Sequence, residues 1–343
     1  MTVSSIAELE KRNHVFVVAE VAQAHDGSLG ILHSFIQACA GAGVDAVKFQ
    51  VHIAEAESSA YEPFRTKFSN VDATRSDYWR RMELSEEQWA GVKAHCEKAG
   101  VEFLATPFSN AAVDLLEALG VTRYKIGSGD VTNALLIERI ARTGKEAILS
   151  TGLATMEEIE CATERLRPTG VAVLQCATRY PTQPKDIELA AIPVLKGRLG
   201  CPIGLSDHSG TIFAGLAAVA VGAAVVEAHV TFDRRMFGPD TAASLTIDEF
   251  ARLVEGIRFI EQARGGDAGK TLTPEIDQLR QTFGRTLAVN HDLPAGHVLT
   301  FGDLEAKKPA GMGLPPKNLD QVLGRRLTKP KARWDFLRAD DLV

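Results

Sequence analysis

The sequence predicts a (β/α)₈ barrel followed by a small, mostly β domain. Three features carry this expectation. Eight short apolar, β-branched runs occur before residue 232. Amphipathic stretches of helical period fill most of the gaps between them. Polar side chains collect at the carboxyl ends of these runs, where a parallel α/β barrel builds its active site. The alternation extends over roughly 250 residues, the usual size of such a barrel.

The strands are expected at residues 15–21, 46–51, 103–107, 124–128, 147–152, 171–177, 202–208 and 225–230. Several are almost continuously apolar, as strands covered on both faces must be. Helices are expected at 32–42, 85–99, 110–119, 133–143, 156–166, 187–195 and 210–222, with an eighth at 245–263 after the last strand. Ser85 with Gln88 three residues later is a capping box that opens the second helix. An open, doubly wound sheet is the alternative, and the lack of GxGxxG after the first run disfavours it. Gly265-Gly266-Asp267 ends the helical pattern. We therefore expect a barrel domain over 1–264, a linker over 265–283 with a short helical piece, and a turn-rich β domain over 284–343.

Composition narrows the function classes. The chain has 343 residues, 45% of them apolar and 24% charged, with a formal net charge of −6. No Lys/Arg block is long enough to follow a phosphate backbone, so no nucleic-acid partner is expected. The densest basic stretch, 324–333, reads as a solvated face or a subunit contact. Five scattered cysteines without a CxxC fit buried thiols in a reducing compartment. No apolar span is long enough to cross a bilayer, and residues 1–12 lack a signal-peptide core. A cytoplasmic protein with no membrane partner is the expectation.

The strand ends supply the chemistry. In order they carry Glu20, Lys48 with Gln50, Thr106, Lys125 with Ser128, Ser150 with Thr151, Thr178, Ser206 with His208, and Glu227 with His229. Asp240 follows in the loop Phe237-Gly238-Pro239-Asp240. His208 and His229 each end an apolar run. They are either two satisfied core histidines or a pair that holds one divalent cation, and Asp207 is a candidate to orient the His208 ring. Lys48 and Lys125 interrupt apolar strands, where an unpaired ammonium is costly. They are either snorkelling rim lysines or, with the neighbouring hydroxyls, an anion site. His25 is a further candidate for the barrel mouth.

These residues carry a resemblance. Ala19-Glu20, His25-Asp26-Gly27-Ser28-Leu29, Val47-Lys48-Phe49-Gln50, Thr106-Pro107-Phe108-Ser109 and Tyr124-Lys125-Ile126-Gly127-Ser128-Gly129 resemble the N-acetylneuraminate (sialic acid) synthase family. So do Leu149-Ser150-Thr151-Gly152, Gln175-Cys176 with Tyr180-Pro181-Thr182, Gly204-Leu205-Ser206-Asp207-His208-Ser209, Glu227-Ala228-His229 and Gly238-Pro239-Asp240. The segments occur in family order across the barrel. The C-terminal region resembles the family's antifreeze-like (SAF) domain.

The resemblance implies a synthase that condenses phosphoenolpyruvate with an amino-sugar aldehyde, usually N-acetylmannosamine, to a nine-carbon 2-keto-3-deoxy acid and phosphate. It implies Mn²⁺ or Mg²⁺ on His208 and His229. Phosphoenolpyruvate would lie among Lys48, Thr106, Lys125, Ser128, Ser150 and Ser206, with Gln50, Thr178 and Tyr180 completing the substrate site. Glu20 and Asp240 would face the sugar and the metal-bound water, and Glu20, Lys48 and Asp240 would be catalytic. The resemblance also implies a domain-swapped homodimer in which Lys308 reaches the partner's barrel.

Four positions depart from the family pattern: Ala24, Thr178, Thr241 and Lys308, where Asn, Asn, His and Arg are usual. Arg and Lys differ in geometry and donor number. They lead us to expect an acceptor other than plain N-acetylmannosamine. The rival readings are another phosphoenolpyruvate–aldose synthase with a different acceptor sugar, and a sugar-binding barrel without turnover.

Overall fold

The protein is described by a computed structural model covering residues 4–66, 69, 71–266 and 269–343. It forms two compact units, Met1–Gly266 and Asp267–Val343. In the first, the strands are β1 (Phe16–Glu20), β2 (Ala46–Val51), β3 (Glu102–Pro107), β4 (Arg123–Ile126), β5 (Glu146–Ser150), β6 (Val171–Cys176), β7 (Ile203–Asp207) and β8 (Val225–Thr231). Each is parallel to the next, and β1 pairs with β8, which closes the barrel. A two-residue strand, β9 (Leu245–Thr246), continues beside β8.

Eleven helices accompany these strands among the described residues of this unit. They are α1 (Ile6–Lys11), α2 (Leu29–Gly41), α3 (Ala54–Glu57), α4 (Arg75–Met82), α5 (Glu86–Ala99), α6 (Asn110–Ala118), α7 (Ala134–Ala141), α8 (Met156–Leu166), α9 (Ala191–Leu199), α10 (Phe213–Ala220) and α11 (Ile247–Arg264). The Ser85/Gln88 capping box is formed as the spacing requires. The helix expected at 187–195 instead runs from Ala191 to Leu199. Glu188 adopts a left-handed conformation (φ 55°), which stops a helix from starting earlier. The later start also puts Pro193 in the first turn, where its missing N–H costs nothing. The run read as 124–128 ends as a strand at Ile126, because Ser128–Asp130 turns into a 3₁₀ helix.

Strand register explains how one barrel can be apolar below and polar above. Side chains two residues apart share a face. Phe16, Val18, Ala46, Leu104, Ile148, Leu174 and Val225 form one buried cluster, and the next inward positions toward the carboxyl ends are Glu20, Lys48, Thr106, Ser150, Cys176 and Glu227. Glu20 is paired in register with both Lys48 and His229, and Ser206 with Glu227. Gly204 is needed in this layer, since a Cβ there would meet Val225 O at 2.4 Å and Leu174 Cδ2 at 2.6 Å.

The amino-terminal end of the barrel is plugged by α1. Ile6 is fully buried in the same inner cluster, and its N–H donates to Glu146 Oε1 at 3.0 Å. Buried Arg123 bridges Glu102 (2.7 Å), Glu146 and the Ser4 carbonyl (2.8 Å).

In the second unit, α12 (Pro274–Phe283) precedes an antiparallel pair, β10 (Thr286–Val289) and β11 (Leu304–Lys307). Leu287, Val289, Leu293, Leu299, Val322, Leu327 and Leu337 form its small core. A four-residue helix, α13 (Leu319–Val322), completes the unit. Buried Asp341 is held there by Lys331 and by Lys329 at 2.9 Å.

Candidate active site

Two connected hollows open at the carboxyl ends of the strands. The inner one, of about 200 Å³, is lined by Glu20, Lys48, Gln50, Thr106, Lys125, Ser128, Ser150, Thr178, Tyr180, Ser206, His208 and His229, together with Cys176, Glu227, Phe108 and Leu153. The outer one, of about 590 Å³, adds Asp240, Arg65, Arg75, Trp79, Gln23, Glu57 and Glu62. All the strand-end residues expected to bind substrate or metal therefore meet at one mouth, with Asp240 in the outer chamber. Lys308 lies in the second unit, its ammonium 5.3 Å from the Phe283 ring. His25 lines neither hollow. It is buried, and its Nδ1 accepts from the Gly27 N–H at 3.2 Å. Thr151 turns away, its hydroxyl donating to the Leu174 carbonyl at 3.0 Å.

Neither lysine snorkels. Lys48 Nζ lies 2.7 Å from Glu227 Oε1 and 3.4 Å from Glu20 Oε2. Lys125 Nζ lies 2.7 Å from Ser150 Oγ and 3.4 Å from the same Glu227 oxygen. Burial pushes the Lys125 ammonium down to about 8, with Glu227 pulling the other way. Burial acts against the charge of Lys48 too, but Glu20 and Glu227 together hold it above its ordinary value. Burial also opposes ionisation of Glu227, yet the two lysines bring its carboxyl down to about 2. Glu20 moves the other way. Burial and the neighbouring Glu227 raise it, with Lys48 opposing. One oxygen of Glu227 and the Thr178 hydroxyl are buried without a hydrogen-bond partner, and Glu20 Oε2 faces the Lys48 ammonium at 3.4 Å outside hydrogen-bond geometry. Unsatisfied polar atoms this close together are what a missing polar ligand leaves behind.

The imidazoles of His208 and His229 have centroids 5.3 Å apart, with the Tyr180 ring 4.2 Å from the first and 5.9 Å from the second. His208 Nδ1 faces the Ala177 carbonyl at 3.2 Å. A carbonyl only accepts, so Nδ1 carries the hydrogen and the Nε2 lone pair is left available. Burial and the neighbouring His229 hold His208 neutral, well below the usual histidine range. Asp207 does not orient this ring. It points to the other face of β7, where Ser209 Oγ donates to it at 2.8 Å. Two imidazole side chains beside buried carboxylates fit a divalent cation chemically. Among the described residues no group of three or more His, Cys, Asp or Glu is spaced to enclose one.

Sequence reasoning placed Glu227 at a strand end without giving it a role. Its offset of two from His229 on one strand was the available signal. Arg65 carried no signal, because it lies in the long connection between β2 and α4. Its guanidinium covers the Tyr180 ring at 4.1 Å and pairs with Asp240 at 2.6 Å. In the same chamber Arg75 Nε lies 3.5 Å from Glu62 Oε1, and its Nη1 has no hydrogen-bond acceptor.

This geometry has counterparts among known proteins. Residues 35–269 match the NeuB family and residues 284–343 a SAF domain. The chain is 34% identical to N,N'-diacetyllegionaminic acid synthase of Campylobacter jejuni, over 94% of this chain and 98% of that one. It is 30% identical to human N-acetylneuraminate-9-phosphate synthase, over 91% and 88% of the two chains. The crystal structure of an N-acetylneuraminic acid synthetase from Leptospira borgpetersenii, in complex with citrate, superposes with a TM-score of 0.69. Its identity is 31%, covering 78% of this chain and 91% of that one. With the barrel closed, the strand-end residues at one mouth and a SAF domain at the C-terminus, this chain belongs to the NeuB family.

Proposed function

We propose that this chain condenses phosphoenolpyruvate with an N-acylated amino-sugar aldehyde, giving a nine-carbon 2-keto-3-deoxy acid and phosphate. The observation that carries this reading is the meeting of two buried ammonium groups, two imidazoles and buried carboxylates on one hollow. Lys48 and Lys125, with the hydroxyls of Thr106, Ser128, Ser150 and Ser206, provide the donors that a phosphate and a carboxylate require. Thr178 and Tyr180 close that side. His208 and His229 would hold Mn²⁺ or Mg²⁺, which supplies Lewis-acid polarisation of the acceptor's carbonyl oxygen when bound.

The remaining work belongs to the chain's own side chains. The enol carbon of phosphoenolpyruvate attacks the aldehyde, and positive charge develops at C2. Water adds there, and the C–O bond to phosphate breaks. Glu20 holds and moves the proton of that water, since burial and Glu227 raise its carboxyl and favour its proton-bound form relative to an ordinary glutamate. The outer chamber takes the sugar. Gln50, Asp240, Arg65 and Arg75 offer it polar groups, and Tyr180 with Phe108 offers aromatic surface. We carry over the domain-swapped homodimer of the family, with Lys308 serving the partner's barrel, and a cytoplasmic setting. Among the described residues no helix is long and apolar enough to cross a membrane.

A panel of amino-sugar aldehydes assayed for phosphate release, with and without chelator and with mass spectrometry of the product, tests this. Release that depends on an acceptor, with a product heavier than that acceptor by a pyruvate unit, is expected. A product without an added three-carbon unit refutes the reading. We expect plain N-acetylmannosamine to be outperformed, because Ala24, Thr178, Thr241 and Lys308 depart from the family pattern.

A further inference from the structure

A line of hydrogen bonds leads outward from Glu20 that the condensation leaves unused. Glu20 Oε1 receives the Gln50 Nε2–H at 2.7 Å. Gln50 Oε1 in turn accepts from Gln23 Nε2. The same Gln23 nitrogen lies 3.2 Å from His52 Nε2, and His52 Nδ1 lies 2.8 Å from Glu57 Oε1. The His52 ring is 3% exposed. It is stacked between Trp79 and Phe108, with centroids 3.8 and 4.7 Å away and planes within 17° and 6°. Both faces are covered, so its polar contacts are confined to the ring plane.

With one hydrogen on the His52 ring, the Glu57 carboxylate sets the donor and acceptor roles along this line. The Glu57 carboxylate accepts, so His52 Nδ1 carries the hydrogen and Nε2 presents a lone pair. Only an amide N–H of Gln23 satisfies that lone pair. Its second N–H then faces Gln50, which must present oxygen. The Gln50 nitrogen is thereby left for Glu20. Reversing any one amide would set oxygen against oxygen in a buried line, where an unsatisfied or repelling pair is most costly.

We propose that His52 is a positioning residue for Glu20. Its tautomer, set by Glu57, decides through Gln23 and Gln50 which end of an amide meets the Glu20 carboxylate. Gln50 lines both hollows, so the same choice decides what it shows to the incoming sugar. The catalytic consequence rests on Glu20 as the proton-handling group, whereas the direction of the line does not.

Two measurements on the full-length protein test this. The first is ¹⁵N NMR of the histidines, with the His52 signals assigned by their loss in His52→Gln. The Nδ1–H tautomer is expected in the wild type, and an Nε2–H tautomer overturns the proposal. The second is steady-state kinetics of Gln23→Glu, which keeps the shape of the side chain but removes its donors. A fall in kcat of about ten-fold or more, with KM for phosphoenolpyruvate unchanged, is expected. Wild-type kcat in that variant overturns the proposal. If the added carboxylate prevents folding, Glu57→Gln replaces it, with mixed His52 tautomers and reduced kcat expected and wild-type values in both overturning it. If the wild type releases no phosphate with any acceptor, the proposed condensation is wrong. The Nδ1–H signal then still upholds the direction of the line, and the Nε2–H signal overturns it.

Discussion

Glu20 and Glu227 face the same Lys48 ammonium and are driven to opposite protonation behaviour. Glu227 sits within 3.4 Å of both lysines and ionises readily, whereas Glu20 has one of them and an ionised neighbour. Separating two carboxylates in this way is how one site obtains a fixed charge and a proton carrier together. Glu20→Gln should lower turnover by about 10² or more while leaving phosphoenolpyruvate affinity unchanged. Phosphate release and calorimetry read the two quantities separately, and full turnover in this variant would remove Glu20 from the role. Lys125 gives a pH signature. Its ammonium is pushed down to about 8, and a bound dianion favours the charged form. Affinity for phosphoenolpyruvate should therefore be full below pH 8 and decline as pH rises through that value. Calorimetric titrations from pH 6.5 to 9.5 check this, and Lys125→Met should bind more weakly and without that decline.

At the level of elements, the strands were legible as short, almost continuously apolar β-branched runs, and the two-residue side-chain period inside a closed barrel allows few arrangements of them. Once apolar residues such as Val18 and Leu104 fill the lower layer, the polar residues two positions later must face the mouth. What the sequence hid was set by backbone conformation and by partners distant in the chain. The start of α9 depended on the left-handed Glu188. Helix α4 has a capping box at Thr74 and Asp77 that the periodicity reading passed over. Helix α1 matters only because Ile6 closes the barrel base, and Arg65 only because a long connection brings it onto Tyr180. A close packing constraint within the inner barrel layer lies in β7. Gly204→Ala should destabilise the barrel by about 1–3 kcal/mol, since the added methyl meets backbone as well as side chain. A lowered urea midpoint with an unchanged slope is the expected readout.

For the molecule as a whole, the site divides into a well-furnished half and an individual half. The sequence resemblance covers more of the proposed phosphoenolpyruvate and metal positions than of the sugar side, although Thr178 departs from it beside the phosphoenolpyruvate hollow. Lys308 belongs to the second unit, and the proposed domain swap assigns it to the barrel of a second chain. Light scattering of the full-length protein should give twice the 37.0 kDa chain mass, and a monomer would overturn the domain swap. The most direct test of the chemistry uses phosphoenolpyruvate carrying ¹⁸O in the oxygen that bridges C2 and phosphorus, turned over with the best acceptor. Phosphorus NMR should find the label in the released phosphate, as water attack at C2 followed by C–O cleavage requires. Label retained in the sugar acid would mean that the P–O bond breaks instead, and would contradict the roles of Glu20 and the two lysines in that sequence of steps.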